Sequence, residues 1–192
     1  MAVTAVVFDV GETLVDETGM WERAADAAGV PRFTLMGVIG GLAARGERHI
    51  RVWEILGVER PSTRQGGVAF YPDALRCLAA LRLRGVTVGI VGNTPEWIER
   101  ELHPFADVVG SSARWGVEKP APAFFARVVD ELGVRASAIA YVGDRVDNDV
   151  LPAKRAGMFA VHIRRGPWGY LHDASGADAQ IDSLDELPGV LP

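Results

Sequence analysis

The sequence predicts an α/β protein: a doubly wound parallel sheet in a Rossmann-like three-layer core, with a small α-helical unit inserted after the first strand. Three observations lead there. Short apolar runs alternate along the chain with amphipathic stretches, the pattern of a parallel sheet covered on both faces and joined by right-handed crossovers. Two of those runs, VTAVVF and AIAYVG, lead into an aspartate. One long interval, residues 15 to about 70, holds no convincing strand but does hold helix-like patterns.

The first run, VTAVVF at 3–8, is the expected first strand, followed by VTVGIV at 86–91, DVVG at 107–110, AIAYVG at 138–143 and FAVHI at 159–163. Apolar runs of this length suit strands buried on both faces. Between them the periodicity predicts helices over 73–84, 95–102, 121–132 and about 148–156. In the insertion it predicts helices around Trp21–Ala28 and Leu42–Leu56. Gly37, Gly40, Gly41, Gly66 and Gly67 are read as turn residues, with Gly66-Gly67 before Tyr71-Pro72 as the return linker. The expected division is therefore residues 1–14 and 71–192 as the core domain and 15–70 as a helical cap.

The chain has 192 residues, enough for one stable core. Hydrophobic residues make up 48% and charged residues 23%, which excludes a disordered or fibrous class. A net charge of −5 with no Lys/Arg run argues against a nucleic-acid partner, which demands a basic face. No apolar stretch approaches the roughly 20 residues of a spanning helix, and VTAVVF lacks a basic flank, so neither membrane anchor nor signal peptide is expected. The single cysteine, Cys77, excludes an internal disulfide, is consistent with a cytoplasmic protein, and reads as a buried small hydrophobe.

In an open parallel sheet, ligands bind outside the carboxyl ends of the strands where strand order reverses. Asp9 follows VVF and Asp144 follows AYVG, so two carboxylates should project there. Either alone reads equally well as a turn or cap residue. Four motifs tip the balance. FDVGETL at 8–14, VGNT at 91–94, VEKPAP at 117–122 and VGDRVDND at 142–149, in that order, resemble the four signatures of the haloacid dehalogenase-like superfamily. ADAQIDSLDEL at 177–187 resembles its last strand and helix, and the insertion lies where a small helical cap of the first type occurs.

The resemblance implies a hydrolase with Asp9 as carboxylate nucleophile, and an Mg²⁺ site made by Asp9, the Gly11 carbonyl and Asp144. Hard oxygen donors suit that ion, which keeps waters and borrows ligands from the phosphate. Lys119 would screen the nucleophile and the transferring group. Asn93 and Thr94 would contact the phosphoryl oxygens, and Asp149 would act from the outer shell by holding a metal-bound water. The implied partner is an anionic small molecule; the oligomeric state is not set by the sequence.

Two departures keep the activity open. Gly11 stands where the family's phosphatases carry a second aspartate, a general acid/base worth about 10² to 10⁴ in rate. Gly92 stands where Ser or Thr is usual. Glu12 and Asp16 are near enough to substitute for the acid, although capping or solvated roles suit them better. The readings are therefore a phosphatase acting on a small phosphorylated metabolite, a haloacid dehalogenase-type hydrolase, or a binding or regulatory module with impaired turnover. In the insertion, Arg45, Arg48 and Arg51 recur every three residues and could face an anionic substrate, whereas Trp21 and Trp53 read as packing between helices. His49, His103, His162 and His172 lack metal-ligand spacing.

Overall fold

The computed structural model describes residues 2–62 and 67–192. Six strands, β1 (Ala5–Phe8), β2 (Thr87–Gly92), β3 (Val108–Ser111), β4 (Ile139–Gly143), β5 (Phe159–Ile163) and β6 (Ala179–Ile181), form one parallel sheet. Their order is β3-β2-β1-β4-β5-β6, so the winding reverses between β1 and β4. The five strands expected from apolar runs are present within a residue or two, and β6 falls in the carboxyl-terminal segment that resembles the family's last strand. Phe8 pairs with Ile90 on one side and Val142 on the other, which makes the carboxyl ends of β2, β1 and β4 nearly level.

Period-two alternation divides each strand between two cores. Val6, Phe8, Val88, Ile90, Ala140 and Val142 face one layer, while Ala5, Val7, Val91, Ile139 and Tyr141 face the other. The helices are α1 (Thr18–Ala27), α2 (Arg32–Ala44), α3 (Val52–Leu56), α4 (Ala74–Leu83), α5 (Glu96–Leu102), α6 (Ser112–Trp115), α7 (Pro122–Leu132), α8 (Leu151–Arg155), α9 (Gly166–Leu171) and α10 (Leu187–Val190). Helix α4 covers the first layer with Ala74, Cys77, Leu78 and Leu81. Helix α7 covers the second with Phe124, Phe125 and Val128. Both phenylalanines are fully buried, each contributing about 1.5–3 kcal/mol of transfer free energy. Pro122 in the first turn of α7 and Gly133 at φ 65° after its last turn set its limits.

Helices α1 to α3 make up the insertion and have their own core of Ala24, Ala25, Leu35, Ile39, Leu42, Val52 and Trp53, closed by Trp168 of α9. Leu42–Leu56 is not one helix, as the periodicity had suggested. The chain leaves α2 after Ala44, turns at Gly46 with φ 65°, and forms a 3₁₀ turn at His49–Arg51 before α3. Gly37, Gly40 and Gly41 lie inside α2 rather than at turns. Burial of Leu35, Ile39, Leu42 and Ala43 along one face outweighs the roughly 1 kcal/mol helix cost of each glycine.

The two crossings into and out of the insertion are joined. Val15 bridges Phe70 antiparallel, and the Asp16 and Tyr71 amides donate to the Ala69 and Leu14 carbonyls. Gly66 of the expected linker lies outside the described residues. Among the described residues, no single helix is long and apolar enough to cross a membrane. Cys77 is buried, and burial pushes its thiol up to about 12, in line with a packing role.

Candidate active site

Asp9 emerges directly from β1, its backbone N–H held by the Val142 carbonyl at 2.9 Å. Asp144 emerges from β4 on the other side of the reversal, and His162 Nε2 lies 3.0 Å from its carbonyl oxygen. Both side chains are nearly buried. Lys119, in the turn before α7, sends its ammonium in from the side. Its Nζ stands 2.5 Å from Asp9 Oδ1 and 2.5 Å from Asp149 Oδ1, and about 6 Å from the ring centres of Phe124 and Tyr141. Burial opposes the lysine's charge, yet the Asp149 and Asp9 carboxylates outweigh it and raise Lys119 well above its usual range.

Asp149 reaches this position through two local features. The segment after β4 winds as a π-helical turn, Val146–Val150, before α8 begins. Such turns re-aim side chains at functional sites. Gly143 makes the room: a Cβ there would lie 2.5 Å from Asp149 Cβ. Asp147 and Asn148 lie within the π turn, with Asp147 paired to Arg145 at 2.8 Å.

Oxygens of Asp9, Asp144 and Asp149 all lie within 4.8 Å of one another. Burial, then Asp149 and Asp9, push Asp144 well above the normal carboxylate range. Burial, then Asp9, hold Asp149 at about 6. Three carboxylates thus share one ammonium. This surplus of buried negative charge in a set of hard oxygens fits a divalent cation such as Mg²⁺.

Asp9, Gly11, Asn93, Thr94, Lys119 and Asp144 line one cavity of about 440 Å³, with Asp149 buried beneath it against Lys119. Asn93 does more than border the cavity. Its Oδ1 accepts from the Lys119 N–H at 2.7 Å and its Nδ2 donates to the Lys119 carbonyl at 3.0 Å. The side chain thus positions the lysine through Oδ1 and one Nδ2 hydrogen, leaving the second Nδ2 hydrogen, backbone N–H groups and the Thr94 hydroxyl for an oxyanion. The Gly92 departure has a packing cause, since a Cβ there would meet Val10 Cγ2 at 2.9 Å and Thr94 Cγ2 at 3.2 Å.

The far wall of the cavity comes from the insertion. Arg48, His49, Ile50 and Arg60 line it, facing Arg145 and Trp168 of the core. Arg45 and Arg51 both pair with Glu47 instead, so the arginine triplet does not present one face and only Arg48 of the three lines the cavity. His49 packs edge-on against Trp21 and Trp168, and Trp21 stacks on Trp53 at 6.5 Å. Burial, then Arg145, Arg60 and Arg48, lower His49 to about 4, so its imidazole is neutral.

Of the two acids weighed as substitutes at Gly11, Asp16 accepts the Thr18 N–H at 2.8 Å at the start of α1. Glu12 is buried rather than solvated. It accepts from the Glu17 N–H at 3.0 Å and from the Tyr71 hydroxyl at 2.5 Å. Sequence reasoning missed Glu17. Its carboxyl lines the cavity and lies directly over Gly11, where a Cβ would meet Glu17 Oε1 at 2.5 Å. Burial, then Glu12 and Asp9, lift it to about 7. No motif marks this position; the only available signal was an acidic residue at the entrance to the insertion.

The model of the haloacid dehalogenase-like hydrolase family matches residues 3–157. The chain is 35% identical over 127 residues to the glyceraldehyde 3-phosphate phosphatase of Methanocaldococcus jannaschii, covering 63% of this chain and 56% of that protein. It is 38% identical over 131 residues to the phosphoglycolate phosphatase of Rhodospirillum rubrum, covering 63% and 52%. The chain thus spans about half the length of these curated relatives. The crystal structure of an HAD phosphatase from Thermococcus onnurineus superposes with a TM-score of 0.68 at 24% identity, over 98% of this chain and 97% of that one, a likeness of fold.

Proposed function

Because the chain belongs to the haloacid dehalogenase-like hydrolase family, we propose that it is an Mg²⁺-dependent phosphatase that takes the phosphoryl group of a small anionic metabolite onto Asp9. The observation that carries this reading is the placement of Asp9 at the sheet reversal, 2.5 Å from the buried Lys119 ammonium and beside Asp144 and Asp149. Asp9, Asp144 and the Gly11 carbonyl would hold the ion, with Asp149 behind them. Bound there, Mg²⁺ would neutralise phosphoryl charge and act as a Lewis acid.

The remaining roles belong to the protein. An Asp9 oxygen attacks phosphorus, the ester bond breaks, and water later hydrolyses the acyl phosphate to regenerate the carboxylate. Lys119 pairs with Asp9 and offsets charge on the transferring oxygens. Residues 15–70 act as a cap, placing Arg48 and Arg60 opposite the nucleophile, where they suit an anionic substrate. Relatives named for glyceraldehyde 3-phosphate and phosphoglycolate support a substrate of that small size.

A dehalogenase-type reaction is favoured by one feature, the absence of an acid at Gly11, but it leaves the carboxylate surplus at Asp144 and Asp149 without a use. A panel of phosphate esters and a 2-haloacid, assayed with Mg²⁺ and with chelator, separates the readings. The phosphatase account expects Mg²⁺-dependent phosphate release that is lost in Asp9→Asn. Metal-independent halide release would replace it with the dehalogenase reading, and no turnover of either class would leave the binding-module reading.

A further inference from the structure

We infer that Glu17, carried by the insertion, is the catalytic acid and base that Gly11 lacks. The assignment rests on the phosphatase reading above and adds a residue the family's motifs do not contain.

Gly11 is not flanked by empty space. A Cβ built there would fall 2.5 Å from Glu17 Oε1, 2.8 Å from Cδ and 3.3 Å from Oε2. The whole Glu17 carboxyl therefore occupies the volume into which a side chain at position 11 would grow, on the wall of the cavity that also holds Asp9. The glycine and the glutamate are complementary: one gives up its side chain and the other fills the vacated place. Glu17 is also held there. Its N–H donates to Glu12 Oε1 at 3.0 Å, Glu12 is fixed in turn by the Tyr71 hydroxyl, and the Glu17 carbonyl accepts the Trp21 N–H at 3.0 Å one helical turn on. Glu12 itself is occupied by these contacts and Asp16 by the Thr18 N–H, so Glu17 is the acid of this segment whose carboxyl is turned to the space above Gly11.

The proton balance is simple. As Asp9 attacks and the P–O ester bond breaks, the Glu17 carboxylic acid gives its proton to the departing alkoxide and becomes a carboxylate. In the second step that carboxylate takes a proton from the water attacking the acyl phosphate, the Asp9–phosphorus bond breaks, and inorganic phosphate leaves with Glu17 protonated again.

The test uses leaving groups of different basicity on the full chain with Mg²⁺. In Glu17→Gln, kcat/KM for a small alkyl phosphate should fall by about 10²-fold or more, the general-acid range, while that for p-nitrophenyl phosphate changes only a few-fold. Loss of the base in the second step should also give a nitrophenolate burst followed by a slow steady state. The double variant Gly11→Asp/Glu17→Ala, which moves the carboxyl to position 11 and clears its space, should recover alkyl-phosphate turnover relative to Glu17→Ala alone. An equal loss on both substrates, or no loss on either, overturns the assignment while leaving the phosphatase reading intact. A wild-type protein that hydrolyses no phosphate ester at all overturns both.

Discussion

At the residue scale the site is governed by how many buried charges each group must answer. Lys119 sits between Asp9 and Asp149 with almost no exposure, so its one charge answers two buried carboxylates. Lys119→Met should remove turnover and, at neutral pH without added metal, lower unfolding free energy by about 3–5 kcal/mol, since two buried carboxylates are left unpaired. Urea denaturation gives the value; a loss below 1 kcal/mol would mean the pair is more solvated than its geometry indicates. Gly143 works through space alone. Gly143→Ala places a methyl against Asp149 Cβ, which has no flexible end to yield, and should cost about 1–3 kcal/mol along with most activity. The meeting of Asp9 and Asp144 was legible in the sequence because motif and strand position coincide at both, and Lys119 was legible from its motif alone. Glu17 was not, because its role arises from the path of the insertion back over Gly11, a contact that spacing does not encode.

At the scale of elements, the strands were legible because buried parallel strands read as continuous apolar runs. The insertion was misread because glycine was weighed above period. In α2, Gly37 and Gly40 have nothing within 4 Å of an added Cβ, so the helix gains nothing from lacking side chains there. Gly37→Ala and Gly40→Ala should each stabilise the protein, by about 0.4–1 kcal/mol, visible as a raised Tm. A fall in Tm would show that this helix face is covered in solution.

The contact between insertion and core also carries a pH dependence through His49, which lies among Trp21, Trp168, Arg145, Arg60 and Arg48. Its folded pKa, about 4, is below the unfolded value near 6.5. The folded state thus binds fewer protons, and the contribution is present above pH 6.5 and lost as pH falls toward 4. His49→Gln should remove on the order of 2 kcal/mol from the stability lost between pH 7 and pH 4. Parallel stability profiles for wild type and variant across that range would show that His49 is solvated in the native protein.

For the whole molecule, the sheet order and the level ends of β1, β2 and β4 convert four separated sequence segments into one cavity wall, and the insertion supplies the opposite wall. The central claim is that this arrangement makes Asp9 a nucleophile toward phosphorus. Rapid acid quench after mixing with a ³²P-labelled phosphate ester and Mg²⁺, followed by peptide mapping, tests it most directly. The account predicts acid-stable label on the peptide containing Asp9, formed in wild type and absent in Asp9→Asn. Phosphate release that continues unchanged in Asp9→Asn, or label on a different residue, would contradict it.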